Sequence, residues 1–286
     1  MSIRRSDLIL EAAENLTAEG KNAAALDGVH TQQSRRCGYE VTTLHITSRS
    51  GADALGKPMG RYVTLDLRPY FQRQTGFFAR GVACLCEELQ GMLPTREKDR
   101  AVLVVGLGNR SLTADAIGPM AADSLLVTRH MVRDLPRQFG NFTPVAAMIP
   151  GVLAATGMET LELVRAVVRE THPAVVIAID ALTARSRDRL CATVQLGDTG
   201  LIPGSGVGNH RRALNAATLG VPVIAVGVPT VIDASDLGDT DNGEPLFATP
   251  RDIDSRVREL SRLVGYGVSL ALQPSLTIDD VTGLLG

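Results

Sequence analysis

Four continuous apolar runs constrain the fold of this chain most strongly. They are AVLVVGL at 101–107, PVAAMI at 144–149, AVVIAID at 174–180 and VPVIAVGV at 221–228. Uninterrupted apolar runs of this length are typical of parallel strands that are buried on both faces of a sheet. Segments with helical periodicity lie between them, at 115–127, 158–171 and 210–219. This alternation predicts the α/β class, with a mostly parallel sheet flanked by helices.

The N-terminal part of the chain has a different pattern. Two segments alternate between polar and apolar residues and are predicted as strands, 39–47 and 61–67, and two others fit helices, 7–19 and 73–92. The stretch between the two strands, SGADALGKPMG, is punctuated by glycine and proline and predicts a loop. We therefore expect an N-terminal β-containing extension within a single domain that spans residues 1–286.

Three further segments complete the predicted organisation. LCATVQLGD at 190–198 indicates an additional strand, and the segment 250–271 indicates a long helix. The polar and acidic stretch at 235–246 has the composition of a mobile surface loop.

Composition excludes several classes of partner. The formal net charge of −2 gives no global electrostatic reason to bind nucleic acid or an anionic membrane, and aromatic residues, at 3% with no Trp, are too few for a base-stacking surface. No apolar run is long enough for a transmembrane helix, and the N-terminus lacks the apolar core of a secretory signal. We expect a cytoplasmic protein whose four cysteines, Cys37, Cys84, Cys86 and Cys191, are free thiols.

Two aspartates stand where the carboxyl ends of predicted strands are expected. Asp180 ends the run VVIAID, and Asp115 follows the run 101–107 through the loop GLGN. Ligands of open α/β sheets bind outside the carboxyl ends of the strands, so neighbouring strands would bring these carboxylates into one pocket. Asp115 in a first helical turn is also explained by the helix dipole. Asp180 is harder to explain structurally, because a charge at the end of a buried strand is costly unless it is paired or functional.

The glycines before Asp115 do not form a nucleotide-binding fingerprint. Gly106 and Gly108 supply GxG, but residue 111 is Ser where a dinucleotide site requires a third glycine. A tight turn or a close backbone approach explains both glycines, and such a turn also positions Asp115. The tripeptide DTG at Asp198 matches pepsin-like proteases, but it occurs once and in an α/β context, so Asp198 is assigned to a turn.

Longer blocks of the sequence resemble a known family. They are VVGLGNRSLTADAIGP, LLVTRH, IPGVLAATGMET, VVIAIDALTARS, GDTGLIPGSGVGN and LGVPVIAVGVPTVIDA, and both chain ends, RRSDLILEA and YGVSLALQPSLTIDDVTGLL, agree with them. In this order they are similar to the germination proteases, the endopeptidases that degrade small acid-soluble spore proteins during spore germination. The resemblance covers nearly the whole chain, although the region after Ala234 is shorter than the family pattern.

The resemblance implies an atypical aspartic endopeptidase with a fold similar to the hydrogenase maturation proteases. It implies that Asp115 and Asp180 are the catalytic pair and that the protein acts in the spore core without a cofactor. Members of the family are homotetrameric zymogens that remove their own N-terminal segment, so residues 1–7 are the expected propeptide and Asp7–Leu8 the expected processing bond. The loop of Gly106, Gly108 and Asn109 would then support an oxyanion.

Two questions stay open at this point. A divalent metal held by the same aspartates and a histidine is the alternative mechanism, as in the hydrogenase maturation proteases. The histidines are His30, His45, His130, His172 and His210, and none has a recognisable ligand spacing to the aspartates. The family cleaves after an acidic residue, which requires a cation in the substrate site, and the candidates are Arg129, Arg185 and Arg187.

Overall fold

The structure is a computed structural model, and it describes residues 6–18, 26–73, 75–95, 100–205, 211–233 and 246–285. Ser6 and Asp7 of the expected propeptide are therefore described, whereas residues 1–5 are not. The predicted mobile loop at 235–246 lies outside the described residues except for Leu246.

Nine strands are described. They are β1 (Val29–Arg36), β2 (Tyr39–Ile46), β3 (Gly60–Asp66), β4 (Val102–Gly106), β5 (Val145–Met148), β6 (Val175–Ala184), β7 (Thr193–Gly197), β8 (Val223–Asp233) and β9 (Phe247–Ala248). All of them belong to one sheet with the order β1-β2-β3-β7-β8-β6-β4-β5, and β9 pairs with β8. Every predicted strand is therefore present, and its bounds lie within a few residues of those expected.

Twelve helices are described. The longer ones are α1 (Ile9–Ala18), α2 (Arg49–Leu55), α4 (Phe77–Gln90), α5 (Ile117–Asp123), α9 (Thr160–Thr171), α11 (Ile253–Leu272) and α12 (Ile278–Leu285). The short ones are α3 (Arg68–Phe71), α6 (Arg129–Asp134), α7 (Pro136–Phe139), α8 (Leu153–Thr156) and α10 (Ala216–Leu219). None of the described helices is both long and apolar enough to cross a bilayer.

The parallel part of the sheet consists of β5, β4, β6 and β8. Their pairings run in parallel register, with Val104 beside Ile177 and Ile177 beside Ile224. These strands are the continuous apolar runs of the sequence, and both of their faces are covered, which confirms the α/β prediction.

The N-terminal extension continues the same sheet. β1, β2, β3 and β7 pair antiparallel to one another, and β7 joins them to β8. β1 was not predicted, because VHTQQSRR contains only one buried residue and presents its other side chains at a sheet edge. Its connection to β2 is the two-residue turn Cys37–Gly38, with φ of 50° and 88°, which suits the twist of a hairpin.

Two local predictions were wrong. The stretch predicted as a loop contains α2, because the Ser48 side chain accepts the Gly51 N–H at its start and Gly56, with φ 62°, ends it. The helix predicted at 210–219 is limited to α10 within the described residues, because the Asn215 side chain caps it and Leu214 pairs instead with Leu201.

Helices cover the two faces of the sheet unequally. Helices α4, α5 and α11 pack on one face along its whole width, against residues such as Val63, Leu196 and Ile177. On the opposite face α9 covers the parallel half, and α1 with α2 covers the antiparallel half. The carboxyl end of β6 lies between the part of this face that α9 covers and the part that α1 and α2 cover.

Candidate active site

The carboxyl ends of β4 and β6 are adjacent. The Leu107 N–H donates to the Ile179 carbonyl at 2.8 Å, directly before Asp180. Gly118, in the first turn of α5, packs against this junction so closely that a Cβ atom there would lie 2.2 Å from the Leu107 oxygen and 2.5 Å from the Ile179 oxygen. The facing residue Gly106 would likewise place a Cβ 2.3 Å from the Gly118 oxygen. Both glycines therefore permit a backbone contact that fixes α5 on the strand ends.

Asp115 is held by the loop that precedes it. It ends a short 3-10 turn, Thr113–Asp115, and its Oδ2 accepts the Asn109 N–H at 2.8 Å. Gly108 has φ 117°, and a Cβ on it would lie 2.0 Å from the Asp115 carbonyl oxygen. The Thr230 hydroxyl of β8 donates to the Ala114 carbonyl at 2.5 Å and ties the turn to the sheet. The glycine loop thus positions Asp115, as expected from the sequence.

Asp180 is almost completely buried, with 5% of its surface exposed. Its Oδ1 accepts the Ala181 N–H at 2.9 Å. Burial raises the pKa of Asp180 well above its ordinary value, and the nearby carboxylates of Asp115 and Asp7 raise it further, whereas the Ala181 N–H opposes the shift. The carboxylate of Asp115 is therefore near enough to Asp180 to act on its charge.

Asp115 differs from Asp180 in its surroundings. It is half-buried, and burial raises its pKa while the Asn109 N–H lowers it. Burial is the main cause of the raised pKa in both aspartates, and it is more complete at Asp180.

Asn109 is engaged within its own loop. Its backbone N–H donates to the Asp115 carboxylate, and its Oδ1 accepts the Ser111 N–H at 3.0 Å. In this arrangement Asn109 supports the carboxylate, and a role toward an oxyanion stays a prediction.

The N-terminal segment lies against the same site. The Asp7 N–H donates to the Thr183 carbonyl at 3.0 Å, and the Asp7 carboxylate accepts the Thr183 N–H at 2.9 Å. Leu8 and Ile9 follow with only 1% of their surface exposed. The expected processing bond, Asp7–Leu8, therefore follows a residue that is bound to β6 three positions beyond Asp180.

The candidate arginines lie in three different places. Arg129 begins α6 next to Thr128, whose N–H bonds to the Val145 carbonyl at the amino end of β5, so it lies at the opposite end of the sheet from Asp180. The structure does not bring Arg129 to the aspartates. The Arg185 N–H donates to Glu11, and Arg187 lines a separate cleft with Ile232.

Glu11 was not singled out from the sequence, although it is fully buried at this site. It accepts the N–H groups of Arg185 and Ser186 at 2.8 and 2.9 Å, and it also accepts the Ser6 hydroxyl. These bonds fasten α1 to the end of β6. A glutamate on the apolar face of the first predicted helix was the only signal that the sequence offered.

No group of three or more His, Cys, Asp or Glu side chains able to hold a metal ion occurs in the described part of the chain. The described residues therefore do not provide the donor set that the metal alternative requires, and His210 lies outside them. All four cysteines are described and are free thiols, two of them buried.

The fold and the site define an α/β protein with one buried and one half-buried aspartate at its strand ends. A family model described as germination protease matches residues 3–242. The chain is 34% identical to a germination protease of Clostridium tetani over an alignment of 326 positions, which covers all of both chains. It is 37% identical to that of Priestia megaterium, covering 97% of this chain and 76% of the relative. The chain therefore belongs to the germination protease family and is a protease.

The chain also has a structural relative. It is similar to the solved structure of the NiFe hydrogenase maturation protease HycI from Thermococcus kodakarensis KOD1, with a TM-score of 0.36 and 16% identity. The similarity covers 65% of this chain and 99% of that protein.

Proposed function

We propose that this protease is an endopeptidase that hydrolyses small acid-soluble spore proteins during germination, with Asp115 and Asp180 activating water. The observation that carries the mechanism is the burial of Asp180 beside Asp115 at the adjoining ends of β4 and β6. Membership of the germination protease family supports the substrate and the spore setting.

The mechanism uses the single proton that the pair holds. The ionised carboxylate, Asp115, accepts a proton from water as the water oxygen attacks the carbonyl carbon of the peptide bond. The protonated carboxyl group, Asp180, hydrogen-bonds to the developing oxyanion or passes its proton to the leaving nitrogen. The C–N bond breaks, and the products are a carboxyl group and an amine.

Three further properties belong to the same proposal. The protein is made as a zymogen that cleaves the Asp7–Leu8 bond, and the contacts of Asp7 with Thr183, three residues beyond Asp180, support this. It assembles as a homotetramer, and it works in the cytoplasm of the spore core without a cofactor. These three rest on the family and on the position of the N-terminal segment.

The rival function within this site is metal-dependent hydrolysis. Two aspartates and a histidine would hold a divalent ion that activates the water in place of the carboxylate pair.

The experiment compares cleavage of a purified small acid-soluble spore protein with and without a strong chelator. The proposal predicts cleavage at acidic residues that is unchanged by the chelator. Loss of cleavage that is restored by an added divalent metal would establish the rival mechanism. No cleavage of the spore protein, with cleavage of an unrelated unfolded protein, would contradict the proposed substrate.

A further inference from the structure

The segment Ser6–Leu8, together with the first residue of α1, is bound to the body of the protein through its main chain. The Asp7 N–H donates to the Thr183 carbonyl at 3.0 Å, and the Ile9 N–H donates to the Gln195 side chain at 2.7 Å. Main-chain hydrogen bonds of this kind are a common means of peptide recognition. In this segment they hold an acidic residue that is followed by an apolar one.

Two donors bind the Asp7 carbonyl oxygen. Lys57 Nζ lies 2.9 Å from this oxygen and Gln195 Nε2 lies 3.3 Å from it. This carbonyl belongs to the Asp7–Leu8 peptide bond, so its oxygen would become the oxyanion when water attacks. A cation and an amide N–H aimed at that oxygen are the arrangement that stabilises such a charge.

Two other donors bind the Asp7 side chain. The Thr183 N–H lies 2.9 Å from Oδ2, and the Ser205 hydroxyl lies 2.7 Å from Oδ1. Each carboxylate oxygen therefore has its own donor. The ionised carboxylate makes stronger hydrogen bonds with these two donors than a neutral amide would, so the site favours the acid over its amide.

One of these donors, Gln195, lies on a strand close to that of Asp180. Gly227 of β8 is paired with Asp180 on one side and with Gln195 on the other. Residues paired across a sheet project from the same face, so Asp180 and Gln195 share a face, about 10 Å apart by the strand spacing. Gly227 lies between them, and the Leu182 side chain packs over it, 2.3 Å from where a Cβ would be. The effect of the Asp7 carboxylate on the pKa of Asp180 agrees with this placement.

Lys57 is well placed to act as the cation of this subsite. It follows α2 and Gly56, and burial lowers the pKa of its ammonium group while Asp7 and Glu11 raise it. Its Nζ also lies 3.5 Å from the Ser6 carbonyl oxygen. A buried ammonium group with main-chain carbonyls as its contacts is suited to binding a peptide, whereas the predicted arginines were expected to bind the acidic side chain itself.

We propose that Lys57, Gln195, Ser205 and the Thr183 N–H form the subsite that binds an acidic residue and polarises its carbonyl group for cleavage. This inference rests on the proposed function. Water adds to the carbonyl carbon, the oxygen takes up negative charge against Lys57 and Gln195, and the C–N bond then breaks with a proton passing to nitrogen. Lys57 and Gln195 contact the reacting group, and Ser205 determines specificity.

Kinetics on matched peptides test the subsite. The peptides are IRRSDLILE, residues 3–11 of the chain, and its form with asparagine at the aspartate. The full chain is expected to cleave the aspartate peptide with a kcat/KM at least about tenfold higher than the asparagine peptide. Ser205→Ala should reduce this ratio to about threefold or less, because the aspartate side chain loses one of its two donors.

Lys57→Met should behave differently from Ser205→Ala. It should lower kcat for both peptides about 100-fold, because it removes a donor to the oxyanion. Lys57→Arg should retain more of kcat, and Arg133→Met, at an exposed arginine, should match wild type. Wild-type kcat in Lys57→Met, together with wild-type discrimination in Ser205→Ala, would overturn the subsite while leaving the proposed function intact.

Hydrogen exchange tests the subsite without requiring catalysis. In the Asp180→Asn background, which keeps the N-terminal segment intact, the Thr183 amide should be protected. Adding Asp7→Asn should speed its exchange about tenfold or more. If wild type cleaves neither peptide, the proposed function fails and hydrogen exchange alone decides the subsite. Equal exchange rates of the Thr183 amide with aspartate and with asparagine at position 7 would overturn the subsite.

Discussion

The two halves of the sheet contribute different things to one site. The parallel half, β5, β4, β6 and β8, brings Asp115 and Asp180 together at its strand ends. The antiparallel half, β1, β2, β3 and β7, contributes Gln195 and, through the segment after α2, Lys57. The first half carries the carboxylates, and the second half holds the peptide that they face. Strands added to the edge of an α/β sheet can thus supply a binding surface without altering the reactive end of the sheet.

One turn in each half differs in how tightly it is packed. At the end of β4 a glycine is required by backbone atoms that lie almost in contact, whereas the glycine that ends α2 has open space around it. The end of β4 therefore tolerates less change than the end of α2 does. Four predictions test this difference, beginning with the largest expected effect.

Gly118→Ala should damage the parallel half severely. Its new Cβ would lie 2.2 Å from the Leu107 oxygen, so α5 must move, and the free energy of unfolding should fall by about 3 kcal/mol. Gly56→Ala is the matched change in the extension, where nothing lies within 4 Å but φ is 62°, and it should cost about 1 kcal/mol. Urea denaturation of both variants measures the difference. Equal losses would show that the two ends are equally constrained.

Glu11→Ala should loosen α1 from the end of β6. The N–H groups of Arg185 and Ser186 would lose their buried acceptor, and the free energy of unfolding should fall by about 2 kcal/mol. Glu14→Ala is the control on the same helix, because its ion pair with Arg189 is half-exposed and should contribute less than about 1 kcal/mol. If the control is as damaging as Glu11→Ala, the buried network does not hold α1.

Asp180→Asn should stabilise the fold at neutral pH. Because the pKa of Asp180 is raised in the folded protein, ionisation in the unfolded chain favours unfolding as the pH rises above the ordinary aspartate value. The variant does not titrate, so it should gain about 1 kcal/mol or more over wild type at pH 7, and the gap should close near pH 4. Thermal melts across this range measure it, with Asp115→Asn as a half-buried comparison. A less stable variant at pH 7 would contradict the raised pKa.

Asp198→Asn should have the smallest effect. The Asp198 Oδ1 accepts the Arg61 N–H at 2.8 Å in a turn of the antiparallel half, and an asparagine oxygen can do the same. The free energy of unfolding should change by less than about 0.5 kcal/mol, and cleavage of the spore protein should match wild type. A large loss of cleavage would give the DTG tripeptide a role that its position does not explain.

The same division explains what the sequence could predict. The apolar runs identify the parallel strands, and Asp115 and Asp180 follow from their position after those runs. β1 has no apolar alternation, and α2 is too short for helical periodicity to reveal it. Lys57 contacts Asp7 across a sequence separation of fifty residues, so no spacing rule connects them. Arg129 illustrates the converse error, because proximity to a recognised block in sequence does not place a side chain at the same end of the sheet.

The most direct test of the account is the kcat/KM for a small acid-soluble spore protein with wild type, Asp115→Asn and Asp180→Asn, each confirmed as folded by its circular dichroism spectrum. The account predicts that both variants lose at least about 100-fold, because each removes one member of the pair that shares the proton. Activity near that of wild type in either folded variant would contradict the claim that the two carboxylates act together.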